Sequence, residues 1–164
     1  MNLKKYINFS HNIILVNKPY KRKEYYHYFK TPNLTLVISK FKKKFLVVSQ
    51  KRVPVNKIIY EFPSGMVELN ESLVESAERE LIEETGYKNQ SKMKLISSFF
   101  CEPGRLTTKI TGYYSDSLIK LQKPEDEIKI HFLKKAEIFK LIKNKKFIHA
   151  SHISMFFLFL NKFD

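Results

Sequence analysis

The sequence predicts an α/β sandwich. Strand-like segments lie on both sides of one well-capped helix, and two further helical segments follow, an order that suits sheet and helix layers rather than a bundle. Over 164 residues, 43% are hydrophobic and 28% charged, a globular balance that fits one domain (1–164) with a core able to fold without staples.

Residues 12–18, 24–30, 34–40 and 44–50 are rich in Ile, Val, Leu, Tyr and Phe, which suit a pleated, half-buried surface. Asn17, Pro19, Pro32 and Asn33 separate them as turn residues. Lys42, Lys43 and Lys44 read as a solvated hairpin tip. Pro63-Ser64-Gly65 breaks the pattern, and a helix over 73–85 follows. Ser72 with Glu75 forms a capping box, Leu73, Ala77 and Leu81 recur at helical spacing, and Gly86 supplies a left-handed stop. Strands resume at 93–101, 109–115 and 128–133. Residues 135–143 and 151–161 read as helices, the first with Ala136, Ile138, Phe139 and Ile142 among lysines, the second with Ile153, Met155, Phe156, Phe157 and Leu160.

The net charge is +14, from 30 Lys+Arg against 16 Asp+Glu, which attracts polyanions such as nucleotides, nucleic acid or anionic lipid. The single cysteine, Cys101, excludes an intramolecular disulfide or a thiolate cluster and reads as a buried or half-buried strand residue. Residues 1–10 lack the apolar run of a secretory leader, and 153–160 is too short to cross a bilayer; the expected location is cytoplasmic, with no membrane partner.

The acids are concentrated. Glu61, Glu68, Glu71, Glu75, Glu78, Glu80, Glu83 and Glu84 make half of the 16, and Arg79 is the only basic residue among them. Glu80, Glu83 and Glu84 stand at i, i+3 and i+4, on one side of the helix near its electronegative C-terminal end. Glu80 and Glu84 also border the inward line of Leu73 and Ala77. Carboxylates there need a partner, either a bound cation or basic side chains from elsewhere in the fold. Oxygen-only ligands favour magnesium or manganese over zinc.

Gly65, five residues, Glu71, seven residues, then Arg79-Glu80-Leu81-Ile82-Glu83-Glu84-Thr85-Gly86 resembles the box of the Nudix hydrolases, with Tyr87 where an aliphatic residue is usual. The resemblance implies a Nudix-fold α/β/α sandwich with a mixed sheet and an N-terminal antiparallel strand extension. It implies Mg2+, with Mn2+ as a substitute, held by Glu80, Glu84 and the Ser64 carbonyl, with Glu83 as a further ligand or a partner of bound water. Arg79 would pair with Glu71 and Glu83 and orient them.

Outside the box, the chain resembles the ADP-ribose pyrophosphatase subgroup over about residues 12–160. Residues 60–65, with Glu61, are similar to that subgroup's Glu-Leu-Pro-Ala-Gly lead-in. Residues 49–52 are similar to a strand end whose arginine, here Arg52, contacts substrate phosphate. Pro103-Gly104 lies where the subgroup keeps its Pro-Gly, sixteen residues past Tyr87. Glu125-Asp126-Glu127 resembles the acidic loop that supplies the catalytic base, and its spacing favours Glu127 or Asp126. The subgroup also implies a homodimer in which strands of region 1–40 exchange between copies, beside a catalytic core over 41–164.

Two departures bear on the substrate. Residues 105–109 offer no acid after Pro-Gly, and Arg105 with Lys109 would suit more phosphate or simply face solvent. His149 stands where the last helix usually begins with Asp. His149 and His152 are expected in capping or surface roles, and Tyr25, Tyr26, Tyr28 and Phe29 in packing against a neighbouring strand or subunit. The implied activity is magnesium-dependent hydrolysis of a nucleoside diphosphate derivative, foremost ADP-ribose or a related sugar nucleotide, to two monophosphates. The competing expectations are removal of pyrophosphate from an RNA 5′ end, suggested by the charge, and a non-catalytic nucleotide-binding module.

Overall fold

The computed structural model describes residues 13–21 and 24–164; residues 1–12, and the expectations that fall on them, lie outside it. Strands β1 (Ile14–Lys21) and β2 (Glu24–Lys30) form an antiparallel ribbon of their own. Strands β3 (Leu34–Phe41) and β4 (Lys44–Arg52) form the central hairpin. Strand β5 (Lys57–Glu61) pairs with β4, and β6 (Ser64–Met66) pairs with β3. Helix α1 (Leu73–Thr85) follows. Strands β7 (Tyr87–Asn89) and β10 (Leu118–Lys120) make a small two-stranded sheet. Strands β8 (Lys94–Phe100), β9 (Lys109–Ser115) and β11 (Lys129–Leu133) complete the main sheet, before helices α2 (Lys135–Lys143) and α3 (Ala150–Phe163).

The main sheet runs β11-β4-β3-β9-β8. It is mixed: β3 and β9 are parallel, with Leu34 beside Ile110, and the other pairs are antiparallel. Alternation along the strands divides the core into two. Leu36, Ile38, Phe45 and Val47 pack with Phe62, Met155, Phe156 and Phe159, on the α3 side. Val37 and Leu46, one step out of phase, pack with Ala77 and Leu81 of α1. Helices on both faces make the expected sandwich. Gly112 of β9 lets α3 approach, because a Cβ there would run into the Met155 side chain.

Several boundaries differ from the sequence reading. Asn17 and Pro19 lie inside β1 rather than in a turn; the ribbon is only two strands wide, so an edge position tolerates the missing proline N–H. Strands β5, β6, β7 and β10 were not expected. Three of these span three residues each, too short for periodicity to register. Ser64–Met66 is a strand despite Pro63, whose carbonyl accepts the Val37 N–H at 2.9 Å. The hairpin tip is as expected, with Lys42 and Lys43 at φ 48° and 64°. Cys101 is half-buried just past the end of β8. Tyr25 and Tyr26 are exposed on the ribbon. No helix among the described residues is long and apolar enough to cross a membrane.

Phe156 is fully buried, with ring centroids of Phe45 at 5.2 Å and Phe62 at 5.5 Å. Phe156→Ala is expected to cost about 3–5 kcal/mol and lower Tm by roughly 10 °C. A change under about 1 kcal/mol in denaturant unfolding would contradict this packing.

Candidate active site

Helix α1 carries the site because its ends are fixed. The Ser72 hydroxyl accepts the Glu75 N–H at 3.3 Å, and the Glu75 carboxylate accepts the Ser72 N–H at 2.7 Å. At the other end Gly86, at φ 68°, donates its N–H to Ile82 at 2.6 Å. Between these caps, the inward stripe of Ala77 and Leu81 sets the rotation of the helix against the sheet. That rotation takes Glu80 and Glu84 out of water.

Arg79 organises the surrounding acids. Its Nε and Nη2 donate to the two oxygens of Glu71 at 3.1 and 2.8 Å. Nη1 donates to Glu80 at 2.8 Å and Glu83 at 2.9 Å, and Nη2 also reaches the Met66 carbonyl at 2.9 Å. All five guanidinium N–H groups are thereby used. The Arg79 hydrogen bonds hold the Glu71 carboxyl down at about 2, and Glu71 holds the guanidinium above its already high value. The sequence reading paired Arg79 with Glu71 and Glu83; the structure adds Glu80.

Among the described residues, Glu84 has no such cation in contact. One oxygen accepts the Ser64 N–H at 3.0 Å and the other the Gln50 amide at 3.3 Å. Its side chain is so enclosed that desolvation pushes the carboxyl up to about 8, against the opposing pull of Ser64, Arg52 and Gln50. Burial raises Glu80 as well, and the charges of Glu83 and Glu125 add to the rise. Across from them, Gly65 leaves room for Glu80: a Cβ at that position would overlap the Glu80 carboxylate. Two buried carboxylates, Glu80 paired with Arg79 and Glu84 met by neutral donors, crowd against a glycine backbone beside Ser64 and form an all-oxygen donor set that fits a hard divalent cation.

The expected substrate-side residues fall into three groups. Arg52 binds Glu61 through Nε at 2.9 Å and Nη2 at 2.8 Å. Glu61 is wholly buried, and its second oxygen lacks a partner among the described residues. Pro103, Gly104 and Arg105 lie on the β8–β9 connection, which is tied to the ribbon: Phe29 N–H donates to the Arg105 carbonyl at 2.8 Å, and Tyr26 donates to Gly104. Pro103 borders a cavity of about 460 Å³ with Lys18, Tyr26, Tyr28, Phe100 and Leu106. Glu125, Asp126 and Glu127 are all exposed on one turn. Glu125 N–H donates to the Glu83 carbonyl at 3.0 Å, and Glu125 is the member of the turn whose charge reaches Glu80. Spacing alone had favoured its two neighbours.

The histidines correct the sequence reading. His149 stands at the N-cap position just before α3, but its side chain makes no cap hydrogen bond; its Nδ1 lies 2.9 Å from the Ser151 hydroxyl. His152 is not on the surface at all but 2% exposed, because the first turn of α3 lies against Phe62. No local pattern announces this, since Phe62 and His152 are 90 residues apart in sequence.

A helix of acids facing a glycine strand, inside a sandwich with a parallel junction, defines a known class. The NUDIX domain model matches residues 16–153, and the chain belongs to the Nudix family. It is 30% identical over 95 residues to an ADP-ribose pyrophosphatase of Bacillus subtilis (strain 168), covering 58% of this chain and 51% of that protein. It is 39% identical over 77 residues to a methanol dehydrogenase activator of Bacillus methanolicus, covering 47% of this chain and 41% of the relative. The chain thus spans about half the length of the curated relatives it matches. A solved ADP compounds hydrolase has the same fold, with a TM-score of 0.78 at 16% identity, over 94% of this chain and 88% of the other. A NUDIX hydrolase from Nitrosomonas europaea gives 0.65 at 18% identity, over 79% and 88%.

The raised Glu84 carboxyl carries a pH signature. Its value moves from 4.5 to about 8 on folding, so the stability it confers is complete below about 4.5 and is lost as pH rises through about 8. Glu80 shifts in the same direction. Glu71 shifts the other way, and its contribution is lost only on acidification below about 4.5. Above about pH 7, where His131, His149 and His152, all lowered by burial, no longer oppose the trend, the metal-free protein should therefore lose Tm up to about pH 8.5, and saturating Mg2+ should flatten that slope. Parallel profiles with and without Mg2+ in differential scanning fluorimetry would contradict the assignment. Gly65→Ala should displace the Glu80 carboxylate and weaken Mn2+ binding by about tenfold or more. Unchanged Mn2+ affinity by electron paramagnetic resonance would count against the close approach.

Proposed function

We propose that this chain is a divalent-metal-dependent hydrolase that cuts the diphosphate linkage of a nucleoside diphosphate derivative, foremost ADP-ribose or a related sugar nucleotide. The observation that carries the reading is Glu84: buried, pushed up to about 8, and bonded to the Ser64 amide beside Glu80. A carboxyl group in that state gains most from a cation. The similarity to an ADP-ribose pyrophosphatase supports the substrate class.

In this reading Glu80, Glu84 and the Ser64 carbonyl hold Mg2+, or Mn2+ in its place, and Glu83 contributes from the outer side of the helix. When bound, the ion neutralises charge on the diphosphate and activates water. Arg79 keeps Glu71, Glu80 and Glu83 in one arrangement, so that little reorganisation accompanies binding. Arg52, held by the buried Glu61, presents its guanidinium to a substrate phosphate. The residues Pro103, Gly104 and Arg105 border the remainder of the substrate. Water attacks one phosphorus, the bridging P–O bond breaks, and two monophosphates leave. The water proton passes to a carboxylate of the Glu125–Asp126–Glu127 turn, where Glu125 is the member already anchored to α1.

Glu84→Gln should lower Mg2+-dependent turnover of ADP-ribose by more than about a hundredfold while the fold is retained. Its metal-free Tm should match or exceed that of the wild type at about pH 8, because an amide replaces a buried anion. Wild-type turnover in this variant would reject the assigned chemistry. A panel of ADP-ribose, sugar nucleotides, dinucleoside polyphosphates and 5′-triphosphate RNA should show its highest kcat/KM on ADP-ribose or a sugar nucleotide.

A further inference from the structure

We propose that His152 is a positioning residue for the metal site: its imidazole fixes the backbone of Phe62–Ser64 and so sets where Ser64 stands relative to Glu84. The inference rests on the metal reading given above and names a part of that site supplied by α3.

His152 is buried in the first turn of α3, 2% exposed. Its Nδ1 accepts the Phe62 N–H at 3.2 Å, and its Nε2 lies 3.4 Å from the Ser64 hydroxyl. A backbone N–H can only donate, so Nδ1 is bare and the hydrogen of the neutral ring sits on Nε2, directed at Ser64. Burial, with His149 and Arg52 beside it, holds the imidazole neutral. One ring therefore grips the connection between β5 and β6 at both ends.

That connection needs a grip. Phe62 is fully buried and lies between the two strands, so its N–H has no ladder to join. Pro63 brings no N–H at all, although its carbonyl is held by Val37 at 2.9 Å. Ser64 then donates to Glu84 at 3.0 Å. The chain of contacts runs His152 to Phe62 and Ser64, and from Ser64 to Glu84. Arg52 on Glu61 secures the preceding residue.

The same assignment excludes another role. Glu61, His149 and His152 have ligating atoms within 4.8 Å of one another, a grouping that resembles a metal centre. Yet His152 has no lone pair to give: Nδ1 receives Phe62 and Nε2 bears the hydrogen. One oxygen of Glu61 is already held by Arg52. The cluster braces the neighbouring metal site instead of forming a second one.

Two substitutions separate the bond from the bulk. His152→Leu fills the space but accepts nothing, whereas the Oδ1 of His152→Asn can take the place of Nδ1. Mn2+ affinity, read by electron paramagnetic resonance, should fall by about tenfold or more in the Leu variant and stay near the wild-type value in the Asn variant. Wild-type affinity in His152→Leu, or equal loss in both, would overturn the inference, the second because it would make packing the cause. Should the Leu variant fail to fold, 15N spectra of the wild-type histidines decide. His152 should show the Nε2–H tautomer, and its resonances should move when Mg2+ is added; the other tautomer, or unmoved resonances at saturation, would overturn it. A wild-type chain with no Mn2+ affinity is a separate result, which removes the metal reading and this inference together.

Discussion

Glu80 and Glu84 lie out of water at the electronegative end of α1, where neither solvent nor the helix dipole favours their charge. Everything near them answers that constraint. Arg79 neutralises one and gathers Glu71 and Glu83 with it. Ser64 and Gln50 offer neutral donors to the other. Gly65 lets the backbone of β6 come close enough to share the space. The capping box and the Gly86 stop keep α1 in register, and the Ala77–Leu81 stripe keeps it rotated so that the acids face inward. A helix free to roll would solvate them and lose the site.

The residues proposed to face substrate are built on a different footing. Arg52 is a strand-end cation aimed by a buried acid, an arrangement that holds the guanidinium without removing it from solvent. The β8–β9 connection belongs structurally to the β1–β2 ribbon: Arg105 and Thr107 exchange backbone bonds with Phe29. The aromatic cavity beside it joins residues from β1 and β2 to residues beyond β8. The acids thus rest on α1 and β6, and the Pro103–Arg105 connection rests on a ribbon outside the main sheet.

Much of this was legible in the sequence. The limits of α1 follow from Ser72, Glu75 and Gly86, because caps are local chemistry with fixed offsets. The i, i+3, i+4 spacing of the three glutamates placed them together for the same reason. What the sequence did not show depends on lateral contact. The short strands β6, β7 and β10 owe their extended form to a partner strand, not to a pattern of their own. His152 reads as an ordinary first-turn residue until α3 is laid against Phe62. The third partner of Arg79 depends on a rotamer that spacing does not specify. In the acidic turn, sequence distance ranks Glu127 and Asp126 first and does not reveal the bond from the Glu125 N–H to the Glu83 carbonyl.

The parallel junction of β3 with β9 carries a consequence for how the chain assembles. The β3–β4 and β8–β9 pairs are local hairpins, but Leu34 meets Ile110 only after the intervening chain, α1 included, has been gathered in. Closing so long a loop is entropically costly before its contacts repay it, and such pairings slow folding. Because β6 docks on β3 as well, the glycine wall of the site shares a strand with that slowest junction.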